Sequence, residues 1–277
     1  MLDRLKQHWP EYLIEAWCLA TFMVSACAFG VILFHPASPL AELGFGRDVL
    51  MGLAMGGTAI LIFRSPWGQR SGAHFNPAVT LTFYRLRKIS GPDAAFYVAA
   101  HFVGGTFGVL IAWLILGDML AAGAVNFVAT LPGSGGTAVA FAAEAGISFG
   151  MMSMVLFTAN SPRWSRLTPY FAGALVAVYI AFEAPLSGMS MNPARTFASA
   201  AVSGNWTAWW IYFTAPPLAM LAASEVFVRT RGLGKVFCAK FDHSGPAKCI
   251  FDCRYGDMAI VPGRSADPGY ACRASAD

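Results

Sequence analysis

Charged residues are scarce in this sequence. Asp, Glu, Lys and Arg make up 12% of its 277 residues, whereas a soluble domain has roughly 25%. Hydrophobic residues make up 56%, and this balance argues against an ordinary soluble globule. The net charge of +4 does not indicate a nucleic-acid partner, because the basic residues form short clusters between apolar runs and no continuous stripe.

Two further features are missing from the first 228 residues. The first apolar run is too long for the core of a cleavable signal peptide and has no convincing small-x-small cleavage site after it. No polyproline, acidic or Gly/Ser-rich linker divides this part of the chain. We therefore expect one membrane domain in residues 1–228, followed by a more highly charged tail in residues 229–277.

Six apolar runs come close to the roughly 20 residues that a helix needs to cross about 30 Å of hydrocarbon. They cover residues 12–34, 49–63, 94–116, 137–159, 167–182 and 205–228. Short cytoplasmic loops accumulate Lys and Arg, and 17 of the 19 basic residues fall on one side of this arrangement, with Arg47 and Arg195 as exceptions. We therefore expect a multi-pass protein of the plasma (inner) membrane with both termini cytoplasmic.

Two shorter apolar pieces, which begin at residues 75 and 189, do not fit the six-span count. Each follows a Ser-Gly break, and the segments SGAHFNPAVT (71–80) and SGMSMNPART (187–196) are identical at six of ten positions. Each copy follows the second of three spans, in repeats of about residues 10–116 and 137–228. An odd number of spans per repeat inverts the second half, so the two copies should enter the bilayer from opposite faces.

Both copies contain Asn-Pro-Ala, which is typical of a helix start, because Asn caps, Pro tolerates the first helical position and Ala favours the helix. The residues are Asn76, Pro77, Ala78, Asn192, Pro193 and Ala194. We expect two half-helices whose positive dipole ends meet at the membrane midplane. Capping occupies each Asn oxygen, which leaves the amide N–H groups free to hold a water or hydroxyl oxygen and to disfavour a cation.

The residues before each Asn must then be extended backbone at membrane depth. They are Gly72, Ala73, His74, Phe75, Gly188, Met189, Ser190 and Met191. Unpaired carbonyls in hydrocarbon are costly, so such backbone is tolerated only along a water-filled path, and these segments predict a polar pore. The alternative is that each Asn-Pro-Ala caps a surface helix, which paired copies in an inverted repeat disfavour.

With these motifs, the sequence resembles the major intrinsic protein family, the aquaporins and glycerol facilitators, and is closer to the aquaporin branch. The resemblance covers about residues 10–228 and rests on SGAHFNPAVT and SGMSMNPARTF. It implies an all-α membrane protein with six tilted transmembrane helices and two half-helices in an inverted repeat, with one pore per protomer and usually a homotetramer. It also implies a passive water channel that excludes protons and ions and requires no cofactor.

The resemblance implies a supporting role for three polar residues in the predicted spans. In the family, glutamates at the positions of Glu15 and Glu144 hold the extended loop backbone in place. His101 stands where many members carry Gln. The alternative for the two glutamates is an ion pair or a protonated carboxylate in the core.

Arg195 directly follows the second Asn-Pro-Ala, where family members place the arginine of the outer constriction. A guanidinium in a narrow pore offers donors to water or a polyol and an electrostatic barrier to cations. The alternative is a snorkelling or ion-paired arginine. By spacing from the motifs, the remaining filter positions are Ile180, Met189 and either Gly56 or Met55.

These filter residues depart from both branches of the family. Orthodox water channels have a histidine at the position of Ile180 and a small or polar residue at that of Met189. Glycerol facilitators have bulky aromatic filter residues and an Asp where this chain has Thr196. We expect a water-permeable pore with a more apolar, wider filter that could also pass ammonia, hydrogen peroxide or small polyols.

The six cysteines fall into two groups. Cys18 and Cys27 lie in the first span and are expected to be small buried hydrophobic residues. The rest lie in the tail, where a cytoplasmic location makes stable disulfides unusual. The candidate ligands of a zinc site there are Cys238, His243, Cys249 and Cys253. Their C-x4-H-x5-C-x3-C spacing matches no standard finger, so a solvated tail with incidental thiols stays open as the alternative.

Two other functional classes stay open on the sequence alone. A secondary transporter with broken helices would need midplane carboxylates for coupling ions, but Glu15 and Glu144 occupy the family's structural positions. An integral membrane enzyme would need a nucleophile and a base, and no such constellation is evident. We therefore expect a channel and not an enzyme, whose partners are water, small neutral solutes and the lipid bilayer.

Overall fold

A computed structural model describes residues 1–246 and 249–258, and within these residues the regular secondary structure is helical throughout. The helices are α1 (Leu2–Phe34), α2 (Phe45–Arg64), α3 (Pro66–Ser71), α4 (Pro77–Arg85), α5 (Gly91–Leu116), α6 (Asp118–Ala121), α7 (Gly136–Ala159), α8 (Thr168–Ser187), α9 (Pro193–Ser203), α10 (Trp210–Arg231) and α11 (Tyr255–Met258). Short 3-10 turns cover Asn126–Val128, Ser165–Leu167 and Leu233–Lys235.

Six of these helices are long and apolar enough to cross a membrane: α1, α2, α5, α7, α8 with the turn before it, and α10. The two helices that begin with Asn-Pro-Ala, α4 and α9, have only 9 and 11 residues. The prediction of an all-α membrane protein with six spanning helices and two half-helices is therefore confirmed.

The helix ends differ from the edges of the apolar runs. Helix α1 begins at Leu2, ten residues before the predicted run, and α2 begins at Phe45. The added turns carry charges such as Asp3 and Asp48, because a helix can continue into water after its apolar run has ended. The predicted domain boundary at residue 228 falls inside the last turn of α10. Part of the predicted tail, 247–248 and 259–277, lies outside the described residues.

Glycines let the long helices approach closely. Helix α5 packs along α1, where a Cβ atom on Gly104 would lie 2.1 Å from the backbone oxygen of Ala16. Helix α2 packs along α8, where a Cβ atom on Gly56 would lie 2.5 Å from the backbone oxygen of Gly173. Small residues are typical of such contacts, since dispersion and not hydrophobic burial drives helix association in lipid.

The half-helices meet at their N-termini inside the bundle. Helix α4 follows α2 and α9 follows α8, and the backbone before each helix contacts the capping Asn of the other. Alternation of the spanning helices places the start of α1 and the end of α10 at one end of the bundle, here called the tail face. The loop before α4 therefore enters from the tail face and the loop before α9 from the opposite face.

Beyond α10 the chain folds back across the tail face. We call residues 236–246 and 249–258 the tail segment. Val236 and Ala239 are fully buried, and the Phe241 amide donates to the Gly72 carbonyl across 3.4 Å. The tail segment is therefore packed against the membrane helices and is not a solvated extension.

Candidate functional site

Each Asn side chain caps its own half-helix and also binds the opposite loop. Asn76 Oδ1 accepts from the Ala78 amide at 2.9 Å, and Asn192 Oδ1 accepts from the Ala194 amide at 3.0 Å. In addition, Asn76 Nδ2 donates to the Met191 carbonyl at 2.7 Å, and Asn192 Nδ2 donates in the same way to the loop before Asn76. The expectation that the amide hydrogens are all free was therefore wrong: one hydrogen of each amide joins the two repeats, and one is left.

Glu15 holds the first approach loop from inside α1. Its carboxylate accepts hydrogen bonds from the Ser71 hydroxyl at 2.6 Å, the His74 amide at 3.1 Å and the Phe75 amide at 2.7 Å. His101 Nε2 lies 2.9 Å from its second oxygen. Four donors thus converge on one buried carboxylate, whereas His101 Nδ1 has no partner among the described residues.

Glu144 does the same for the second approach loop from inside α7. It accepts from the Ser187 hydroxyl at 2.8 Å, the Ser190 amide at 2.6 Å and the Met191 amide at 2.8 Å. These three donors occupy positions 116 residues after those that bind Glu15, so the sequence repeat is also a repeat of hydrogen bonds. Tyr212 adds a bond to the Ser187 carbonyl at 2.5 Å.

The approach loops use left-handed backbone at alternate residues. Ala73 and Phe75 have φ values of 53° and 29°, and Met189 and Met191 have 47° and 53°. Such conformations cost roughly 1–3 kcal/mol for a residue other than glycine and persist only where the surroundings enforce them. The hydrogen bonds to Glu15 and Glu144 supply that enforcement, so each glutamate fixes the shape of one loop.

A cavity of about 520 Å³ runs past the junction of the half-helices. Most of the predicted pore and filter residues line it: Asn76, Asn192, Arg195, Met55, Ile180, Met189, His74, Phe75, Gly188, Ser190 and Met191. Towards the tail face its wall includes Phe63, Val79 and Phe241, and towards the opposite face it includes Arg47 and Asp48. Gly72 and Ala73, which were predicted to line the pore, are not part of this wall, and Gly72 packs against Phe251.

The structure resolves the choice between the two filter candidates in α2. Met55 lines the cavity, whereas Gly56 faces α8 at the close contact described above. Gly56 was therefore the wrong candidate: gapless counting back from Asn76 is off by one residue, and Gly56 lies on the face of α2 that packs against α8. Met51 and Ala59, one turn away on either side of Met55, continue the same face of α2 along the cavity.

Arg195 is held beside the cavity by a residue that sequence reasoning missed. Its Nη1 atom donates to the Val128 carbonyl at 2.7 Å. Asn126, Phe127 and Val128 all have positive φ values, between 45° and 51°. This strained turn presents a carbonyl to the guanidinium. No motif in the sequence predicts the turn.

Comparison with known proteins places these features in a family. The family model described as "Major intrinsic protein" matches residues 5–227. The chain belongs to the major intrinsic protein family. The predictions of this family and of a passive channel for water or small solutes are confirmed, and the transporter alternative is not favoured.

Relatives and solved structures agree with this membership. Aquaporin NIP2-3 of Zea mays is 34% identical over 77% of this chain and 67% of its own length, and Aquaporin NIP1-2 of Oryza sativa subsp. japonica is 36% identical over 74% and 66%. The chain thus spans about two thirds of these plant relatives. The aquaglyceroporin from Plasmodium falciparum shares the fold, with a TM-score of 0.65, 18% identity and coverage of 79% of this chain and 95% of that one.

One buried acid of this family member lies outside the predicted set. Glu183, near the end of α8, lies within hydrogen-bond distance of the Ser187 hydroxyl, which also contacts Glu144. The one hydrogen of that hydroxyl is donated to only one of these two carboxyl groups at a time. The Oε2 atom of Glu183 has no partner among the described residues. The residue directly follows the predicted fifth span, and that position at the edge of an apolar run is the signal that could have found it.

The tail brings its four candidate ligands together. The ligand atoms of Cys238, His243, Cys249 and Cys253 all lie within 4.8 Å of one another. The Cys238 and Cys249 sulfurs are 3.4 Å apart, and the Cys253 sulfur is 3.9 Å from His243 Nε2. Cys253 is disulfide-bonded in this structure.

The cluster shifts the pKa values of its own members. The hydrogen bond from Cys238, with further contributions from His243 and Lys240, lowers the pKa of Cys249 to about 5. Burial raises the pKa of the Cys238 thiol and lowers the pKa of His243. A thiolate and a neutral imidazole are the forms in which these side chains bind metals.

Proposed function

We propose that this chain conducts water and small neutral solutes through the cavity between its two repeats, and that the pore itself works without a cofactor. The observation that carries the proposal is a cavity between the two repeats whose wall includes Asn76, Asn192 and Arg195. Among the described residues, the path has fixed donors at the junction of the half-helices and its lining carboxylate, Asp48, lies towards the opposite face. Such a path suits a neutral, hydrogen-bonding solute. We propose that conduction is the chain's only activity and that it catalyses no reaction.

The junction can handle water one molecule at a time. The second amide hydrogen of Asn76 and of Asn192 is available to a passing oxygen, while the carbonyls of the approach loops can accept the hydrogens of the same molecule. The positive ends of α4 and α9 meet here and oppose a cation, and Arg195 adds a fixed positive charge nearby. Protons and other cations are opposed by this positive charge, whereas a neutral molecule is not.

The wall opposite these donors is apolar and adaptable. Met55, Ile180 and Met189 stand at the filter positions, with Met151 and Met191 further along the cavity. Methionine side chains are flexible and polarisable, so they can move aside for molecules larger than water. We therefore propose ammonia, hydrogen peroxide and small polyols as additional solutes.

The distribution of basic residues and the family membership support a location and an oligomeric state. We propose that the chain resides in the plasma (inner) membrane, with the tail face cytoplasmic, because most of its basic residues lie on that side. We also propose a homotetramer with one pore in each protomer, in line with the family. Chemical cross-linking in native membranes tests the tetramer, and a band pattern that ends at the monomer would contradict it.

Stopped-flow light scattering of proteoliposomes tests the conduction. Because Phe241 lies in the cavity wall at the tail face, the full chain is measured as wild type and as Phe241→Ala. We expect rapid osmotic shrinkage of Phe241→Ala liposomes with a low activation energy, and uptake of glycerol in an isosmotic gradient. Shrinkage of both proteins at the rate of protein-free liposomes, or solute uptake that saturates and depends on an ion gradient, would contradict the proposed function.

A further inference from the structure

The tail segment lies at the tail face of the cavity and contacts both repeats. Its Phe241 ring stacks on Phe63 with centroids 4.8 Å apart and planes 7° apart, and its Ala239 carbonyl lies 2.9 Å from His74 Nε2. On the second repeat, the Phe237 amide donates to Asn160 Oδ1 at 2.7 Å. The segment therefore spans the mouth from one repeat to the other.

Ion pairs fix this position on the first repeat. Asp242 accepts from Arg64 at 3.0 Å and from Gln69 at 2.9 Å. Lys88, which is only 5% exposed, donates to the Asp252 carboxylate at 2.9 Å. A buried amine binds a carboxylate of the tail segment, so removing the segment would leave Lys88 with less compensation for its burial.

The ring of Phe241 belongs to the wall of the cavity itself. It lines the same space as Asn76 and Arg195, at the end where the loop before α4 enters. Phe251 of the same segment stacks on His74, with centroids 5.3 Å apart. An aromatic side chain in the mouth narrows the path that a solute would take.

The segment is too small and irregular to hold this position by a core of its own. Its regular structure within the described residues is the four-residue helix α11, and the rest is extended or turned backbone. Segments of this size need a staple such as a metal or a disulfide. The four clustered side chains can bind such a metal. They offer three sulfurs and one imidazole nitrogen, which is a common set of ligands for structural zinc.

The spacing of the four ligand atoms suits that metal. Zinc–sulfur bonds of about 2.3 Å in a tetrahedron place two sulfurs roughly 3.8 Å apart, and the Cys238 and Cys249 sulfurs are 3.4 Å apart. A zinc–nitrogen bond of about 2.0–2.1 Å places a sulfur and a nitrogen roughly 3.6 Å apart, and the Cys253 sulfur is 3.9 Å from His243 Nε2. The His243 ring stacks on Tyr255 with centroids 3.9 Å apart, and the Tyr255 hydroxyl lies 2.9 Å from Ser165 Oγ. These contacts fix the imidazole plane, as neighbouring residues do in established metal sites.

We propose that Cys238, His243, Cys249 and Cys253 bind one Zn²⁺, and that this zinc holds the tail segment across the mouth and closes the pore. The closing of the pore rests on the proposed function, whereas the zinc site rests on the cluster of four ligands alone. Cys253 joins the site in its reduced form: two thiols of a cytosolic reductant such as glutathione convert its disulfide into two cysteine thiols and are themselves oxidised to one disulfide. The Cys253 thiol then loses its proton when the metal binds.

Metal analysis tests the site without any transport assay. The full chain is purified in detergent with a thiol reductant, exposed to zinc and freed of unbound metal. We expect about one zinc ion per chain in the wild type and less than about a fifth of that in Cys249→Ser, while Cys27→Ala, which removes a buried thiol outside the cluster, keeps its zinc. Less than about half a zinc per wild-type chain, or an equal content in Cys249→Ser, would overturn the site.

Water permeability tests the closing. Removal of zinc from wild-type proteoliposomes with a membrane-permeant chelator should raise permeability about tenfold, which requires only a small part of the free energy with which structural zinc binds. Phe241→Ala should keep its zinc and be equally permeable with and without chelator. Zinc-loaded and zinc-free wild type of equal permeability would overturn the closing. A zinc-loaded wild type together with an impermeable Phe241→Ala would instead contradict the proposed function and leave the metal site standing.

Discussion

The replacement Glu144→Gln removes one acceptor from the centre of the second approach loop. Glu144 Oε1 accepts from Ser187 and Ser190, and Oε2 accepts from the Met191 amide. If the glutamine oxygen keeps the hydrogen bonds from Ser187 and Ser190, its NH₂ group faces the Met191 N–H and cannot accept a hydrogen bond from it. One charge-assisted hydrogen bond is lost and one buried donor is left unpaired, at a combined cost of about 3–5 kcal/mol.

The loss should appear in both stability and transport. For a chain of this size we expect the apparent unfolding midpoint in detergent to fall by roughly 10 °C, as followed by tryptophan fluorescence. Water permeability of the open Phe241→Ala background should fall as well, because Met189 and Met191 lose the contact that enforces their left-handed backbone.

Glu183→Gln provides the matched control. This carboxylate is buried close by, but it binds the Ser187 hydroxyl alone and its second oxygen has no partner among the described residues. A glutamine can keep that bond, so we expect a cost below about 1 kcal/mol. Equal midpoint losses for Glu144→Gln and Glu183→Gln, or no loss for Glu144→Gln, would refute the supporting role of Glu144.

Three more replacements test separate parts of the pore. Met189→Ala, which removes an apolar wall residue, should raise uptake of a small polyol more than it raises water flux in stopped-flow assays. Gly56→Ala should lower the unfolding midpoint, because its Cβ would lie 2.5 Å from the Gly173 carbonyl oxygen, whereas Gly57→Ala meets open space and should not. His101→Gln should stay within about 0.5 kcal/mol of the wild type, since an amide can still donate to the carboxylate that His101 binds, and thermal unfolding measures it.

For each of these three replacements, one result would contradict the prediction. Equal changes in polyol and water flux for Met189→Ala would show that this side chain does not limit solute size. Similar midpoints for Gly56→Ala and Gly57→Ala would contradict the close contact with α8. A loss of several kcal/mol for His101→Gln would show that the imidazole itself is required.

The parts of the site that the sequence predicts are those that it repeats. Asn76 and Asn192 follow identical Ser-Gly breaks, and one helix-capping rule applies to both, so the two half-helices and their meeting point could be inferred before any coordinates. The same repeat relates the donors of Glu15 and Glu144. The helix-capping rule applies to both Asn-Pro-Ala copies. A single copy could equally start a surface helix, but two copies at matching places of an inverted repeat predict a pair of half-helices.

What the sequence did not predict depends on contacts between distant segments. The choice of Met55 over Gly56 depends on which face of α2 packs against α8, and the hydrogen bond of Arg195 depends on the strained turn at Val128. The hydrogen bonds from each Asn to the opposite loop need both repeats in place. No periodicity or motif encodes these relations, since each joins residues far apart in the chain.

The tail shows the same limit. Its sequence left both a zinc cluster and a solvated segment open, because C-x4-H-x5-C-x3-C matches no standard spacing. The burial of Val236 and Ala239 and the stacking of Phe241 on Phe63 arise from the surface that the membrane helices present to it.

Paired measurement of water flux and ion conductance in the same reconstituted Phe241→Ala protein tests the central claim most directly. Stopped-flow light scattering gives the osmotic permeability, and planar bilayers fused with the same vesicles give the conductance under a salt or pH gradient. We predict fast water flux with a low activation energy and a conductance no higher than that of protein-free bilayers, because the ends of α4 and α9 and Arg195 oppose cations. Ion or proton current that rises with the amount of protein, or water flux equal to that of bare lipid, would contradict the account.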